Sequence, residues 1–255
     1  MNYYLIGTGH MAHFIAARMS AGGHTCAGYW GRDRDRALVI AKRFHLPLVP
    51  TLQTLMDGPD VCLMAVSDAA IPAIAGELSF RETTLLHFAG TVPMDALMPA
   101  PRRAVLWPVY SIAAGTERVH RNIPCAWNAS TPESEVAVAQ IASALGGSLH
   151  RLDDKGRKQL HLAAVFGNNF TNHILAIAEQ LCRENEIPFF LLLPLIQQTL
   201  ERVATSSPRA VQTGPAKRRD VSTMDAHREL LAQHPDWQSV YNAISSSIER
   251  MYRSE

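Results

Sequence analysis

The chain lacks the cysteine patterns that mark disulfide-rich proteins and metal sites. It has four cysteines in 255 residues, with no C-x-x-C pair and no cysteine–histidine spacing typical of a zinc ligand set. We therefore expect no metal site and no disulfide framework, and we expect the cysteines to be small, buried, reduced side chains. They are Cys26, Cys62, Cys125 and Cys182.

Long charged and long apolar runs are also missing. The formal net charge is +1, and the densest basic cluster, residues 217–219, ends at Asp220, which is too short to grip a nucleic-acid backbone. The longest apolar run, residues 187–196, contains Pro188 and Pro194 and is shorter than the roughly 20 residues that span a bilayer. No signal-peptide pattern occurs at the start. These features predict a cytoplasmic globular protein that binds neither nucleic acid nor membrane.

The first twelve residues carry the most informative pattern. An apolar run over residues 3–6 leads into a G-x-G-x-x-A turn, and a helical pattern follows. In such a turn the first glycine allows a tight bend, the second lets the backbone approach a pyrophosphate, and the helix N-terminus offers free N–H groups. The alternative is a fortuitous glycine turn. We expect a dinucleotide to contact the residues of this turn, which are Gly7, Thr8, Gly9, His10, Met11 and Ala12.

Short apolar runs alternate with helical patterns through the first 150 residues. This alternation predicts an α/β fold with a doubly wound parallel sheet. The predicted strands are residues 3–6, 25–30, 46–49, 61–66, 85–88, 104–107 and 124–128, and the predicted helices are residues 10–21, 33–44, 69–78 and 132–145.

Helical spacing alone dominates from about residue 155 onward. We therefore predict a dinucleotide-binding domain over residues 1–150 and an all-helical domain over residues 151–255. The predicted helices of the second domain are residues 156–185, 188–204, 216–231 and 235–252, with a loop over residues 206–215.

The residues after the second strand bear on the choice of cofactor. Arg32 lies where an arginine suits the 2′-phosphate of NADP, whereas an acid would hold the ribose hydroxyls of NAD. Arg32 therefore favours NADP(H), with NAD as the less favoured cofactor. Asp33 is one residue further on, so a register shift of one residue would reverse this preference. A solvated helix start is the alternative explanation of this charge run.

Polar and small residues follow the fourth and fifth predicted strands. Ser67 and Asp68 follow one of them, where their backbone can line a nicotinamide ribose or where they simply cap the next helix. Gly90 follows the other, where it permits close approach of a ligand or makes a turn. We expect His87, just before it, to be a structural histidine.

The predicted long helix combines an apolar stripe with a polar sector. At 3.6 residues per turn, the sector contains Lys158, His161, Asn168, Asn169 and Asn172. We interpret it as the wall of a substrate site, with a polar rim at a domain or dimer interface as the alternative.

A turn at Gly214 and Pro215 precedes a second polar group. The free N–H groups of a helix start there, with the guanidinium of Arg218 or Arg219, can hold a carboxylate or phosphate, and His227 follows along the chain. A helix start with a surface arginine–aspartate pair explains the same residues without a ligand, and the spacing alone slightly favours that explanation.

These segments together resemble a bacterial family in which a Rossmann-like domain is joined to the helical domain of unknown function 2520. The resemblance covers nearly the whole chain, and members of that family are often described as NADP oxidoreductases. Its most specific part is a block that begins at His161 and ends at Asn169-Phe170. The segments that carry it are residues 7–12, 65–68, 87–90, 161–170, 214–215 and 219–227.

The resemblance implies a plan similar to pyrroline-5-carboxylate reductase and to the 6-phosphogluconate and 3-hydroxyisobutyrate dehydrogenases. Those enzymes set a helical domain against the nicotinamide and often dimerise through it, so a homodimer is expected here. The β-hydroxyacid enzymes place an Asn four residues after a Lys. Here the residue four positions after Lys158 is Leu162, so their mechanism does not transfer. The family's common Ser is Ala89 here. Trp107 and Tyr110 stand where a His-Pro pair is common, and we expect both to face the substrate.

Two functional hypotheses follow. The first is an NADP(H)-dependent oxidoreductase that moves hydride between the nicotinamide and a small carbonyl or imine. His161 would be the general acid or base, because an imidazole titrates near neutral pH. Asn169 would orient the substrate, and Arg219 with His227 would hold an anionic group. The second hypothesis is a non-catalytic dinucleotide-binding module that acts through its helical domain.

Overall fold

A computed structural model describes residues 1–113 and 122–253 of the chain. They form two compact units, Met1–Gly167 and Asn168–Glu255. We refer to these as unit 1 and unit 2. The domain boundary expected near residue 150 stays a prediction.

Unit 1 is built on one seven-stranded sheet in the order β2-β1-β3-β4-β5-β6-β7. Neighbouring strands are parallel except β5 and β6, which are antiparallel. The strand order reverses beside β1, and the crevice that such a reversal creates is where open α/β sheets bind ligands. The strands are β1 Asn2–Ile6, β2 Thr25–Trp30, β3 Val61–Met64, β4 Thr84–His87, β5 Arg103–Pro108, β6 Ile123–Ala129 and β7 Gly147–Arg151.

Helices cover both faces of the sheet, so the predicted doubly wound α/β fold is confirmed. The two-residue period of β1 sends Tyr3 into one core cluster with Phe14, and Tyr4 into a second cluster with Ile71. The helices of unit 1 are α1 His10–Ala21, α2 Arg34–Phe44, α3 Ile71–Glu77, α4 Pro132–Leu145 and α5 Asp154–Ala164.

Two predictions about the sheet were wrong, and one strand was not predicted. Residues 46–49 form no strand but an isolated bridge between Tyr29 and Leu48, because Pro47 has no N–H to extend a ladder. The sheet is not wholly parallel, since β6 runs against β5. The unpredicted strand is β7, a largely exposed edge strand whose polar residues give no buried-strand pattern.

The predicted single helix over residues 156–185 was also wrong. The α-helical pattern of α5 ends at Ala164, a π-helical segment covers Val165–Phe170, and α6 begins at Thr171. This segment contains Gly167, Asn168 and Asn169, all poor helix formers, and a π turn adds a residue to the helical period. Lys158 and the asparagines therefore do not share the one sector that was predicted for a regular helix.

Unit 2 is helical in the residues that the structure describes. Its predicted short helix over residues 216–231 is two helices, because Arg219 adopts a left-handed conformation between them. The predicted loop over residues 206–215 also contains a single helical turn. The helices are α6 Thr171–Glu184, α7 Leu193–Thr205, α8 Pro208–Val211, α9 Pro215–Arg218, α10 Val221–Leu230 and α11 Pro235–Met251. Within the described residues, no helix has the length and apolar character needed to cross a bilayer.

Candidate cofactor and active site

The glycine turn after β1 has a geometry that only glycine allows. Gly7 has φ +129°, and a Cβ atom there would lie 2.0 Å from the carbonyl oxygen of Ala65. The Gly7 N–H donates to the carbonyl of Trp30 at 2.9 Å, and the Tyr29 hydroxyl donates to the Gly7 carbonyl at 2.9 Å. Both hydrogen bonds come from β2, so this neighbouring strand fixes the turn.

The start of α1 leaves its backbone N–H groups available to a ligand. Gly9 is the N-cap residue and makes no side-chain cap, and a Cβ atom there would meet nothing within 4 Å. The first turn of a helix has N–H groups without helical acceptors and a partial positive charge. Ala12 is wholly buried and packs into the core cluster, as its small size allows. The turn thus has the cradle that a pyrophosphate needs.

A cavity of about 1010 Å³ lies over this turn. Most of the residues that were predicted to bind the cofactor line this cavity, but Ala12, Asp68 and Gly90 do not. The predicted residues that do line it are Gly7, Thr8, Gly9, His10, Met11, Arg32, Asp33 and Ser67. The structure therefore brings the turn after β1 and the residues after β2 and β3 to one cavity.

Two arginines line this cavity beside the end of β2. The Asp33 carboxylate caps α2 by accepting from the Arg36 N–H at 3.1 Å, and it pairs with the Arg36 guanidinium at 3.2 Å. Asp33 is thus engaged with its own helix, and Arg36 joins Arg32 as a second cation on the cavity wall. This arrangement suits a phosphate group.

Three further residues around the cavity were not predicted as site residues. A Cβ atom on Gly31 would lie 2.3 Å from Cγ2 of Thr8, so a glycine there lets the turn pack against the start of α2. The signal was available, since Gly31 directly follows β2. Gln53 and Glu77 also line the cavity, where the Gln53 amide donates to the Glu77 carboxylate at 3.0 Å. No sequence spacing indicated that contact.

The residues after β3 are connected to the segment after β4. Ser67 lines the cavity and makes no side-chain cap, so helix capping does not explain its hydroxyl. The Asp68 carboxylate accepts a hydrogen bond from the Thr91 hydroxyl at 2.9 Å. Asp68 therefore holds the segment that contains Gly90.

Gly90 lies in close contact with His161 and Trp107. A Cβ atom on Gly90 would lie 2.7 Å from Cδ2 of His161 and 2.9 Å from Cε2 of Trp107. The Trp107 and His161 rings have centroids 5.4 Å apart. Three residues singled out in the sequence, from β5, α5 and the segment after β4, therefore form one corner of unit 1. The side chains of His161 and Trp107 are both partly exposed.

His87 and Arg157 are both wholly buried near this corner. Burial lowers the pKa of His87, the positive charge of Arg157 lowers it further, and the result is about 4. Nδ1 of His87 accepts from the Ala89 N–H at 3.1 Å. A neutral imidazole with backbone contacts is consistent with the structural role expected for His87.

The other predicted residues lie elsewhere in their own units. In unit 1, Lys158 is exposed on α5, and Tyr110 is partly buried against the core after β5. In unit 2, Asn168 and Asn169 are exposed in the π-helical segment.

The two predicted anion-binding residues lie further along unit 2. The exposed Arg219 guanidinium donates to the Arg253 carbonyl at 3.4 Å. Nδ1 of His227 lies 3.0 Å from the Tyr241 hydroxyl. The roles predicted for both residues stay predictions.

Comparisons with known proteins match both parts of this chain. Residues 123–248 match the model of the domain of unknown function 2520, and residues 3–87 match the model described as NADP oxidoreductase, coenzyme F420-dependent. The predicted family resemblance is confirmed. No curated protein matches the chain.

Solved structures similar to this chain extend over its whole length. A candidate NADP oxidoreductase of Bacteroides fragilis, BF3122, is 29% identical with a TM-score of 0.85, over 98% of each chain. A reductive aminase of Aspergillus terreus, solved with NADPH and ethyl levulinate, is 17% identical with a TM-score of 0.73, over 99% of this chain and 93% of that one. The 1-pyrroline-5-carboxylate reductase of Streptococcus pyogenes is 17% identical with a TM-score of 0.65, over 100% of this chain and 99% of that one. The last two likenesses show the shared fold.

Proposed function

We propose that this chain is an NADP(H)-dependent oxidoreductase that transfers hydride between the nicotinamide and a small carbonyl or imine substrate. The observation that carries the proposal is the cavity over the Gly7 turn, with Arg32 and Arg36 on its wall. The names of the similar proteins agree with the predicted class, an oxidoreductase that uses NADP.

The chain's own groups fit such a cofactor in two places. The N–H groups at the start of α1 would hold the pyrophosphate, since Gly7 and Gly9 leave room for it. Arg32 and Arg36 would hold the 2′-phosphate, while the Asp33 carboxylate is occupied by capping α2. When bound, NADP(H) supplies or accepts the hydride.

The corner formed by Gly90, Trp107 and His161 would hold the reacting end of the substrate. Gly90 belongs to the segment after β4, the strand beside β3, whose following residues line the cavity. His161 would give a proton to the substrate oxygen or nitrogen during reduction and remove it during oxidation. Trp107 would present an aromatic wall beside the imidazole.

The proposal assigns supporting roles to residues of unit 2. Asn169 would orient the substrate, and Arg219 with His227 would hold an anionic group. A cytoplasmic location is part of the same prediction.

A binding experiment and a turnover assay test the proposal. Calorimetry with NADPH and NADH should show binding of both, with NADPH tighter by about tenfold or more, which corresponds to roughly 1.4 kcal/mol. A panel of keto acids, ketones and cyclic imines should then reveal oxidation of NADPH. Failure of both nucleotides to bind would refute the proposal, whereas tight NADPH binding with no turnover would favour the non-catalytic hypothesis.

Substitution of His161 tests its catalytic role. H161A should lower kcat by roughly a hundredfold or more while the Kd for NADPH changes little, because removal of a general acid affects the proton transfer. H150A, which removes an exposed histidine on β7, is the matched control. Equal losses of turnover and NADPH binding in H161A would contradict a catalytic role.

We also propose that the chain forms a homodimer through unit 2. Several large apolar side chains of unit 2 are exposed, among them Leu193 and Leu200, which lie seven residues apart on one face of α7. An exposed apolar patch of this kind marks an interaction surface. Sedimentation equilibrium should show a dimer, and the double variant L193E/L200E should be monomeric. V39E, on the surface of α2, should leave the dimer intact.

A further inference from the structure

Arg157 is a fully buried arginine one helical turn before His161. Its side chain is 0% exposed. Its Nη2 donates to the carbonyl of Val92 and, at 2.8 Å, to the carboxylate of Asp154. Asp154 in turn accepts from the Met94 N–H at 3.2 and 3.3 Å. The guanidinium therefore joins α5 to the segment that follows β4.

That segment, residues 88–94, is held at four points. The Ala89 N–H donates to His87 at 3.1 Å, and the Thr91 hydroxyl donates to Asp68 at 2.9 Å. Arg157 holds the Val92 carbonyl, and Asp154 holds the Met94 N–H. Gly90 lies between these points, in contact with His161. The two contacts on the Met94 side come from α5 itself.

The rest of the Arg157 guanidinium is not paired. Within the described parts of the chain, its Nε and Nη1 are buried without a hydrogen-bond partner. A buried ion pair adds little net stability, since apolar residues that replace both partners often cost nothing, although removal of one partner alone is destabilising. The position of this guanidinium is therefore better explained by the geometry it imposes than by the stability it adds.

We propose that Arg157 is a positioning residue for His161. Residues four apart on a helix share a face, so the arginine and the imidazole meet the same segment one turn apart. By holding Val92 against α5, the guanidinium keeps Gly90 and Trp107 in contact with the imidazole. This inference rests on the proposed function only in giving His161 a catalytic role.

Arg103 provides a matched control. It is also largely buried, its Nη1 donates to the Ala100 carbonyl at 2.7 Å, and its Nη2 lies 3.6 Å from the Asp95 carboxylate. Its Nε is buried without a partner, as in Arg157. Arg103 begins β5, four residues before Trp107, so its bonds do not hold the segment beside His161.

The experiment compares R157M, R157K and R103M by NMR and by kinetics. The imidazole Cε1–H signal of His161, assigned with H161N, reports the ring current of Trp107, whose centroid is 5.4 Å away. R157M should move this signal towards that of a solvent-exposed histidine, and R103M should leave it unchanged. R157K should fall between, because an ammonium can donate to both acceptors of Nη2 but sits on a flexible stem that does not hold its place as the planar guanidinium does.

Kinetics should separate the two arginines in the same way. R157M should lower kcat by about tenfold to a hundredfold, since small displacements of a catalytic group cost this much, with KM and the NADPH Kd within about twofold. R103M should lower Tm and leave kcat within about twofold. An unshifted His161 signal in R157M, or an equal shift in R103M, would overturn the inference. If R157M does not fold, R157K decides by the same signal.

The two proposals fail in different ways. If no substrate is turned over by the wild type, the proposed function fails on the assay. The NMR signal still decides whether Arg157 positions His161.

Discussion

A Cβ atom on residue 90 would lie 2.7 Å from Cδ2 of His161, so the absence of a side chain at Gly90 allows the contact between α5 and the segment after β4. Real Cβ atoms do not approach this closely, and a side chain at this position would have to displace the imidazole or the Trp107 ring beside it. The glycine thus sets how near His161 lies to the edge of the sheet.

The first prediction follows from that contact. G90A should lower kcat by about tenfold or more, because the added methyl group displaces a ring that the reaction needs in place. The measurement is steady-state kinetics together with thermal unfolding. G76A is the control, since a Cβ atom there meets nothing within 4 Å and alanine favours the helix. A G90A variant with wild-type kcat would contradict the role assigned to this corner.

The two glycines of the turn after β1 should respond differently to alanine. G7A combines a strained backbone at φ +129° with a 2.0 Å clash against Ala65, so it should lower Tm strongly or prevent folding. G9A should fold with a nearly unchanged Tm, because Gly9 has φ −84° and open space around it. Its methyl group would instead occupy the cradle, so the Kd for NADPH should rise by about tenfold or more.

Gly23 provides a control for backbone strain. It has φ +70°, and a Cβ atom there would meet nothing within 4 Å, so G23A should show the cost of strain without a clash. Unchanged NADPH binding in G9A would place the pyrophosphate elsewhere.

The preference for NADPH over NADH should depend on Arg36. R36M should weaken NADPH binding by roughly tenfold to a hundredfold, the value of a hydrogen bond to a charged group, and leave NADH binding unchanged. R34M is the matched control, because the Arg34 guanidinium donates to the Val49 carbonyl at 2.9 Å and does not line the cavity. If R36M weakened the binding of NADPH and NADH equally, Arg36 would support the fold of the site and would not recognise the 2′-phosphate.

Much of the cofactor site was predictable because it depends on local sequence. The G-x-G turn, the arginine after β2 and the buried strand β3 are each encoded within a few residues, and the structure brings them to one cavity. The antiparallel direction of β6 could also have been predicted from the sequence. No helical pattern separates residues 107 and 124, and an antiparallel neighbour, unlike a parallel one, needs no crossover helix.

Other parts depend on contacts between distant residues. Arg157 and Val92 are 65 positions apart, and nothing in the local sequence of α5 distinguishes this buried arginine from the exposed Lys158 beside it. The strand β7 is an exposed edge strand, so it lacks the apolar alternation that identifies buried strands. The π-helical segment follows from Gly167 and two asparagines, a composition that regular helices also tolerate.

The last prediction concerns stability and pH. The pKa of His87 is lowered to about 4 from an ordinary value of 6.5, by burial first and by the charge of Arg157 second. Between these two pH values the unfolded chain binds a proton that the folded chain does not, so the free energy of unfolding falls as the pH falls. His87 thus contributes about 3 kcal/mol to the free energy of unfolding. This contribution is present in full above pH 6.5 and is lost by about pH 4.

Urea unfolding at a series of pH values between 7 and 4.5 would measure this effect. H87N should flatten the pH dependence, because the asparagine oxygen can still accept from the Ala89 N–H and carries no titrating proton. H24Q is the control and should flatten the pH dependence less than H87N does. Burial and the N-terminal ammonium lower the pKa of His24 as well, but His24 is not completely buried as His87 is. Asp57 does not interfere, because hydrogen bonds from the N–H groups of residues 81–83 outweigh its desolvation and lower its pKa to about 2, below this range. An H87N variant with the wild-type pH dependence would show that another group carries the acid sensitivity.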